Sequence, residues 1–166
     1  ALELADIEMR GKRFAVASEL LKRMTPDATG NPTLVDQAAY RIAVCEYEQG
    51  QFATAADRFT RFIKSSPKSP QIVSATALCG EALVKAGQPA AAIAHLRRVT
   101  EDFPDDAACG AALLRLGETF ATLQRWPESR QAFADYMERF GSSELAFQAQ
   151  FGSGWAEENQ GRLAEA

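Results

Sequence analysis

The chain has few of the groups that usually carry chemistry: one histidine and three cysteines among 166 residues. An odd number of cysteines without CxxC spacing argues against both a disulfide framework and a zinc site. Cys45, Cys79 and Cys109 are therefore predicted to be small buried apolar residues. His95 has no serine, aspartate or cysteine partner in a local catalytic signature, so it is predicted to be structural. The sequence predicts no catalytic residue, no metal site and no cofactor.

Long hydrophobic runs and a basic face are also missing. No apolar run approaches the roughly 18 residues that a bilayer-spanning helix needs, so no direct membrane insertion is expected. The formal net charge is -4 and the Lys and Arg residues are scattered, whereas nucleic-acid binding needs a basic stripe. Nucleic acid is therefore not an expected partner. The first residues lack the build of a signal peptide. Because the sequence starts without Met and stops in mid-pattern, we expect a fragment of a longer protein.

What the chain does contain is an internal repeat. The stretch "GQFATAADRF" from Gly50 returns as "GQPAAAIAHL" from Gly87, 37 residues later (87 − 50), and the same step reaches Gln124 and Gly161. Such a period is typical of stacked repeat proteins. Small residues recur in three columns and large apolar residues in a fourth: Ala38, Ala75, Ala112 and Ala149; Ala43, Gly80, Gly117 and Gly154; Ala55, Ala92, Ser129 and Ala166; Phe59, Leu96 and Phe133. We expect the small residues to let helices approach closely and the large residues to fill the space that remains.

Each repeat has the pattern of two helices, because its apolar residues recur at spacings of three and four. Gly50 is predicted to end a first helix in the left-handed cap conformation. Pro67 is predicted to stop a second helix. Ser69 and Pro70 are predicted to be the N-cap and first turn of the next helix, and Pro127 to lie in the first turn of another.

These residues resemble the tetratricopeptide repeat (TPR) superfamily. Leu116-Gly117 and Phe120 match its first-helix pattern, and Ala55 with Phe59 matches its second-helix pattern. The position that usually holds Trp is occupied by other residues, and the period is 37 rather than about 34. The resemblance implies an all-α, right-handed TPR-type solenoid of helix-turn-helix repeats whose first helices line a concave face. The longer period resembles a variety common in bacterial cell-envelope proteins, which implies the periplasm or cell envelope rather than the cytoplasm.

The register predicts one solenoid over residues 1–166. A partial repeat covers 1–31, full repeats cover 33–69, 70–106 and 107–143, and a truncated repeat covers 144–166. A longer joint, "TPDATGNPT", begins at Thr25.

A partner surface is expected on the first helices, away from the small columns. The candidates are Tyr40, Val44, Tyr47, Glu81, Val84, Leu114, Glu118, Phe151 and Trp155, with Ala77, Ala121 and Glu158 beside them. Aromatic residues are frequent anchors of interfaces. We expect an apolar peptide segment, extended or helical, with basic residues facing Glu81 and Glu118. Two alternatives stay open: Tyr40 and Tyr47 pack within the stack, or Phe151 and Trp155 are exposed only because a second helix is missing.

Two functions follow from this pattern. The first is a non-catalytic scaffold that binds a peptide or partner protein in its concave groove. The second is a structural segment of a larger protein, self-associating through the surface of Phe147, Phe151 and Trp155 on its truncated C-terminal helix.

Overall fold

The computed structural model describes residues 1–24 and 30–165, with side chains described as far as Gly161, and its regular elements in these ranges are all helices. We number them α1 (Leu2–Arg10), α2 (Phe14–Lys22), α3 (Pro32–Glu48), α4 (Phe52–Ser65), α5 (Ile72–Lys85), α6 (Pro89–Asp102), α7 (Ala108–Thr122), α8 (Trp126–Phe140) and α9 (Ala146–Glu165). The predicted all-α class is confirmed. None of these helices combines the length and hydropathy that crossing a membrane requires.

The chain divides into two compact units, and the first is Ala1–Ala86. Within it, α1 packs on α2, α2 on α3, α3 on α4 and α4 on α5. Its N-terminal core combines small and large residues: Ala5, Ala17, Leu21, Ala38, Ile42 and Cys45. Ala17 and Leu21, four residues apart on α2, lie on one face of that helix and contribute to this core.

The second unit is Gly87–Ala166. Helix α6 packs on α7, α7 on α8 and α8 on α9, and α9 also contacts α7. One core cluster joins α7, α8 and α9: Cys109, Leu113, Leu114, Phe133, Tyr136 and Ala149. The division at Gly87 falls inside the predicted repeat 70–106, and the repeat boundaries remain predictions.

Several turns between consecutive helices use a left-handed residue, as predicted for Gly50. Its φ is +75°, and Gly87 has the same value. The residue after Gly50 donates its backbone N–H to the carbonyl oxygen of Glu46 at 2.9 Å, which satisfies a free carbonyl at the helix end. Gln124 (φ +56°) and Lys12 (φ +57°) adopt the same conformation without being glycine. The turn geometry therefore persists where the glycine does not.

Most small columns are buried, as the register predicts. The residues at 38, 75, 112 and 149 are at most 3 % exposed, and those at 55, 92 and 129 are fully buried. Ser129 is polar, but its hydroxyl donates to the carbonyl oxygen of Gly117 at 2.8 Å and so ties α8 to α7. Gly154 differs, because it is exposed. Ala166 lies outside the described residues, as does the part of the predicted joint at 25–29.

One helix start differs from its prediction. Helix α5 begins at Ile72 with Gln71 as its N-cap, so Ser69 is not the cap and Pro70 does not lie in the first turn. The Ser69 hydroxyl instead accepts the backbone N–H of Gln71 at 3.3 Å in a preceding turn. A short polar side chain that bonds two residues ahead stabilises a turn as readily as a helix start. Pro127 does lie in the first turn of α8, as predicted.

Candidate functional site

The first candidate in unit 1, Tyr40, packs inside its own helix pair. Its ring centroid is 6.1 Å from that of Phe59 and 5.7 Å from that of Phe62, both on α4. Burial raises the pKa of the Tyr40 hydroxyl, and a hydrogen bond with Ser74 offsets part of that rise. Tyr40 is half-buried, so it presents only part of its ring to a partner.

Tyr47 is held in place by a cation and a second ring. It meets Phe52 edge-on at 5.5 Å between centroids. Lys85 donates from Nζ to the Tyr47 hydroxyl at 2.5 Å, and the same ammonium lies 4.5 Å from the centre of the ring. Burial has the largest effect on the Tyr47 hydroxyl and raises its pKa, whereas the hydrogen bond from Lys85 lowers that pKa. These contacts make Tyr47 a packed residue with an exposed edge.

Val44, Glu81 and Val84 are the remaining candidates of unit 1, and all three are half-buried. Glu81 is close enough to Tyr47 to raise the pKa of its hydroxyl, both through its charge and through a hydrogen bond. Glu81 therefore faces the Tyr47 hydroxyl, which also accepts a hydrogen bond from Lys85. Unit 1 offers a mixed surface of partly covered side chains rather than an open apolar one.

Leu114 is not a surface residue. It is 6 % exposed and belongs to the core cluster with Phe133 and Tyr136. It lies three positions before Gly117 on α7, and residues three apart share one helix face. Since Gly117 faces α8, Leu114 faces α8 as well. Its assignment to the partner surface is therefore corrected.

Three other candidates, Glu118, Phe151 and Trp155, come together in unit 2. They line a groove of about 540 Å³ between α7 and α9, with Phe133 of α8 also lining it. Phe151 is 78 % exposed, and Trp155 is 44 % exposed. Phe147, one turn before Phe151, is 63 % exposed and lies in the same groove. Three large apolar side chains therefore share one open surface.

Two glycines bring the walls of this groove together. A Cβ atom on Gly117 would lie 2.5 Å from the Phe133 ring, and one on Gly152 would lie 2.4 Å from it. Real Cβ atoms do not approach other atoms so closely, so both positions need a residue without a side chain. The Phe133 ring thus fits between α7 and α9. The sequence reasoning missed Gly152, whose only signal was its place in the segment "GSGW".

Trp155 is anchored on one edge. Its ring meets that of Trp126 at 5.1 Å and 85°, an edge-to-face arrangement that aromatic pairs prefer. Trp126 is buried together with Ala121 and Ala156. Trp155 is therefore held in one orientation while its other surfaces line the groove.

The charged side chain in the lining of the groove is that of Glu118, and it is already paired with an arginine. Glu118 accepts a hydrogen bond from Arg115 at 2.6 Å, with about half of its side chain exposed. An exposed pair of this kind contributes little stability, at most about 1 kcal/mol, so a partner's cation can compete for the Glu118 carboxylate.

The groups with potential chemistry are dispersed. Among the described residues, no group of three His, Cys, Asp or Glu side chains is placed to hold a metal ion. Cys45, Cys79 and Cys109 are fully buried, as predicted, and burial raises the pKa of the Cys45 thiol to about 11. His95 is half-buried, and burial, followed by the nearby Arg98, lowers the pKa of its imidazole.

The architecture defines a class: antiparallel helices that repeat along the chain, with small residues where they touch. Family comparison then identifies the superfamily. One tetratricopeptide repeat family model matches residues 79–144 and another matches 37–69. Together they cover more than half of the chain, which belongs to the tetratricopeptide repeat superfamily.

Solved structures support the same fold. MamA from AMB-1 superposes with a TM-score of 0.75 at 18% identity, covering 99% of this chain and 83% of its own. A tetratricopeptide repeat protein from Parabacteroides merdae gives 0.80 at 18% identity, covering 99% and 60%. YrrB, described as a TPR protein with an unusual peptide-binding site, gives 0.71 at 19% identity, covering 95% and 76%. The predicted TPR solenoid is confirmed. Comparison with curated protein sequences finds no significant match.

Proposed function

We propose that this protein is a non-catalytic interaction scaffold that binds a segment of a partner protein in the groove between α7 and α9. The observation that carries the proposal is the exposure of Phe147, Phe151 and Trp155 around one cavity of about 540 Å³. Contiguous exposed apolar surface of this kind marks interaction sites. The volume is also within the range of about 300–1,000 Å³ that ligand pockets occupy.

The lining indicates the chemistry of the partner segment. Phe147 and Phe151 offer aromatic surface, which favours apolar side chains as anchors. Glu118 lies on the α7 wall and is only weakly held by Arg115, so it favours a basic residue in the partner. An apolar segment with flanking Lys or Arg fits both features.

The candidates of unit 1 form a second, weaker part of the proposal. Val44, Glu81 and Val84 keep part of their surface, while Tyr40 and Tyr47 are engaged by their own helix pair. We assign them a supporting contact with the partner, and we place the main anchors in unit 2.

A self-associating structural segment is the second candidate function, favoured by the same exposed aromatic residues. Sedimentation velocity of the chain over a wide concentration range tests it. A Phe151-dependent dimer would support self-association, and a monomer throughout would remove it. Phe151→Glu is the matching variant, because it places a charge at the centre of the apolar surface.

The location that we propose for this protein is the bacterial cell envelope. It rests on the 37-residue period and on the resemblance to envelope TPR proteins. Capture experiments from separate envelope and cytosolic fractions test it, because a partner restricted to the cytosol would contradict it.

Site-specific photo-cross-linking tests the scaffold proposal. A photoreactive amino acid at Glu118, in the wall of the groove, is compared with one at Glu138, an exposed position of α8 outside the groove. We expect a protein adduct from position 118 that disappears when Trp155→Ala is added. Adducts that form equally from both positions, or none from position 118, would contradict groove binding.

A further inference from the structure

Trp155 lies on a part of α9 that the packing of a second helix leaves open. Two of its register equivalents, at multiples of 37 residues, are Glu118 on α7 and Val44 on α3. Helix α8 packs on α7 and helix α4 packs on α3, yet the Glu118 side chain is 49% exposed and Val44 is half-buried. A further helix that packed on α9 in the same way would therefore leave this position open.

Phe151, one turn earlier on α9, occupies a different position of the repeat. Its equivalent Leu114 is 6 % exposed in the core with α8, and its equivalent Tyr40 packs against Phe59 of α4. The exposure of Phe151 thus depends on what packs on α9. Among the exposed rings of the groove, Trp155, at 44 % exposure, is the one whose register position stays open in complete helix pairs.

The surroundings of Trp155 favour a cation. Glu118 lines the same groove from α7, a helix that α9 contacts directly. Arg115 donates to Oε2 of Glu118 at 2.6 Å, but Arg115 is not part of the groove lining, so the charge that the groove presents is negative. The face of an indole ring also attracts cations, more strongly than the face of Tyr or Phe. A carboxylate and an indole ring therefore act on the same groove.

The chain itself contains an example of this combination. The guanidinium of Arg125 lies 4.8 Å from the centre of the Phe120 ring, and its Nη2 donates to the Glu128 carboxylate at 2.7 Å. One arginine thus contacts a ring and a carboxylate at once. The planar guanidinium allows this because its N–H donors lie in its own plane, whereas lysine offers a compact point charge. The combination of ring and carboxylate therefore favours arginine.

We propose that Trp155 and Glu118 bind one arginine side chain of the partner segment, with the guanidinium over the indole ring and its N–H groups on the carboxylate. This inference rests on the proposed scaffold function and names the residue that the groove recognises. Arg115 occupies Oε2 of Glu118, and Oε1 accepts the incoming N–H. Contact with Trp126 holds the Trp155 ring in one orientation, so little side-chain freedom is lost on binding.

A random-peptide library tests the proposal with the intact chain as the target. Phage display selects peptides that bind the chain, and counter-selection removes those that also bind the Trp155→Ala variant. We expect the remaining sequences to share one arginine among apolar residues. The strongest peptide is then synthesised with a fluorescent label. In fluorescence anisotropy, replacing its arginine with citrulline, which keeps the shape and loses the charge, should weaken binding at least about tenfold. Lysine should weaken it about threefold, because it keeps only the charge.

Variants of the chain locate the arginine. Glu118→Gln keeps the size of an exposed side chain and removes its charge, so the tenfold difference between the arginine and citrulline peptides should shrink to about threefold. Glu138→Gln, the same change on α8 outside the groove, should leave the difference unchanged. Trp155→Leu should shrink it as well, and Trp155→Phe should give an intermediate value because a weaker ring remains. Thermal melts check folding, and Glu118→Gln keeps the test decisive if Trp155→Leu fails to fold.

Three results would overturn the inference. They are the absence of any peptide that depends on Trp155, selected peptides without a shared arginine, and an arginine preference that survives in Glu118→Gln or in a folded Trp155→Leu chain. If position 118 cross-links a partner protein while the peptides show no arginine preference, the scaffold function stands and only the arginine site is wrong. Absence of both a cross-link and a Trp155-dependent peptide would contradict the scaffold function as well.

Discussion

Tyr40 of α3 and Phe151 of α9 occupy the same position of the repeat, yet one is packed and the other is open. The Tyr40 ring packs against Phe59 and Phe62 of α4, whereas Phe151 is 78 % exposed. Both were expected to contact a partner, because both are aromatic residues at the same register. The comparison shows that the register determines which way a side chain faces. Whether it is available depends on whether a second helix covers it.

The largest expected difference in stability is between alanine variants of Leu114 and Phe151, which occupy this same register position 37 residues apart. Leu114→Ala should lower the free energy of unfolding by about 3 kcal/mol, because it leaves a cavity beside Phe133 and Tyr136. Phe151→Ala should change it by less than about 0.5 kcal/mol, since its side chain is already in solvent. Urea denaturation of both variants provides the measurement. Equal losses would mean that α9 is covered in solution.

The glycines at the next register position sharpen the comparison. Gly117→Leu should cost about 2 kcal/mol, because its side chain would collide with the buried Phe133 ring. Gly154→Leu has open space and should be neutral or slightly stabilising, since leucine favours helix more than glycine does. The midpoints of thermal unfolding measure the difference. A stable Gly117→Leu variant would show that α7 and α8 do not pack as described.

A smaller change in stability, a gain rather than a loss, is expected from a glycine substitution in one of the turns. Gln124 adopts the left-handed conformation that Gly50 and Gly87 adopt at the equivalent positions. Gln124→Gly should therefore stabilise the chain by about 1 kcal/mol, because it removes the steric cost of a side chain at positive φ. The control is Gln88→Gly, a glutamine in the turn that contains Gly87 whose φ is −116°, and it should not stabilise the chain. A loss of stability at 124 would contradict the predicted gain.

The smallest effect concerns the packed aromatic residue of unit 1. Lys85→Met removes the hydrogen bond to Tyr47 and the cation above its ring, and should cost less than about 1 kcal/mol. The same bond lowers the pKa of Tyr47, so its loss should move phenolate formation to higher pH. Ultraviolet titration of the tyrosines detects that direction. An unchanged titration would mean that Lys85 does not bind Tyr47 in solution.

The sequence predicted the helices and most of the burial, because small residues at a fixed period constrain how closely helices approach. Ala38, Ala75 and Ala112 show this, and the left-handed cap at Gly50 follows from glycine's backbone freedom. Leu114 was misplaced because a periodic pattern marks a face without showing which neighbour lies against it. Gly152 was missed for a related reason: its contact with Phe133 joins two successive repeats and recurs in no column. The groove itself depends on which helices are present, which no single residue encodes.

The ring of Phe133 lies against two glycines on two different helices, and this has a consequence for cooperativity. Phe133 contacts α7, the helix paired with its own helix α8, and it also contacts α9 of the next repeat. Local fraying of α9 therefore also removes part of the packing that supports α7. In a nearest-neighbour description of repeat folding, such a shared residue raises the coupling between adjacent modules relative to their intrinsic stability. Amide hydrogens of α7 and α9 should therefore exchange as one unit, in spite of the open face that α9 presents to solvent.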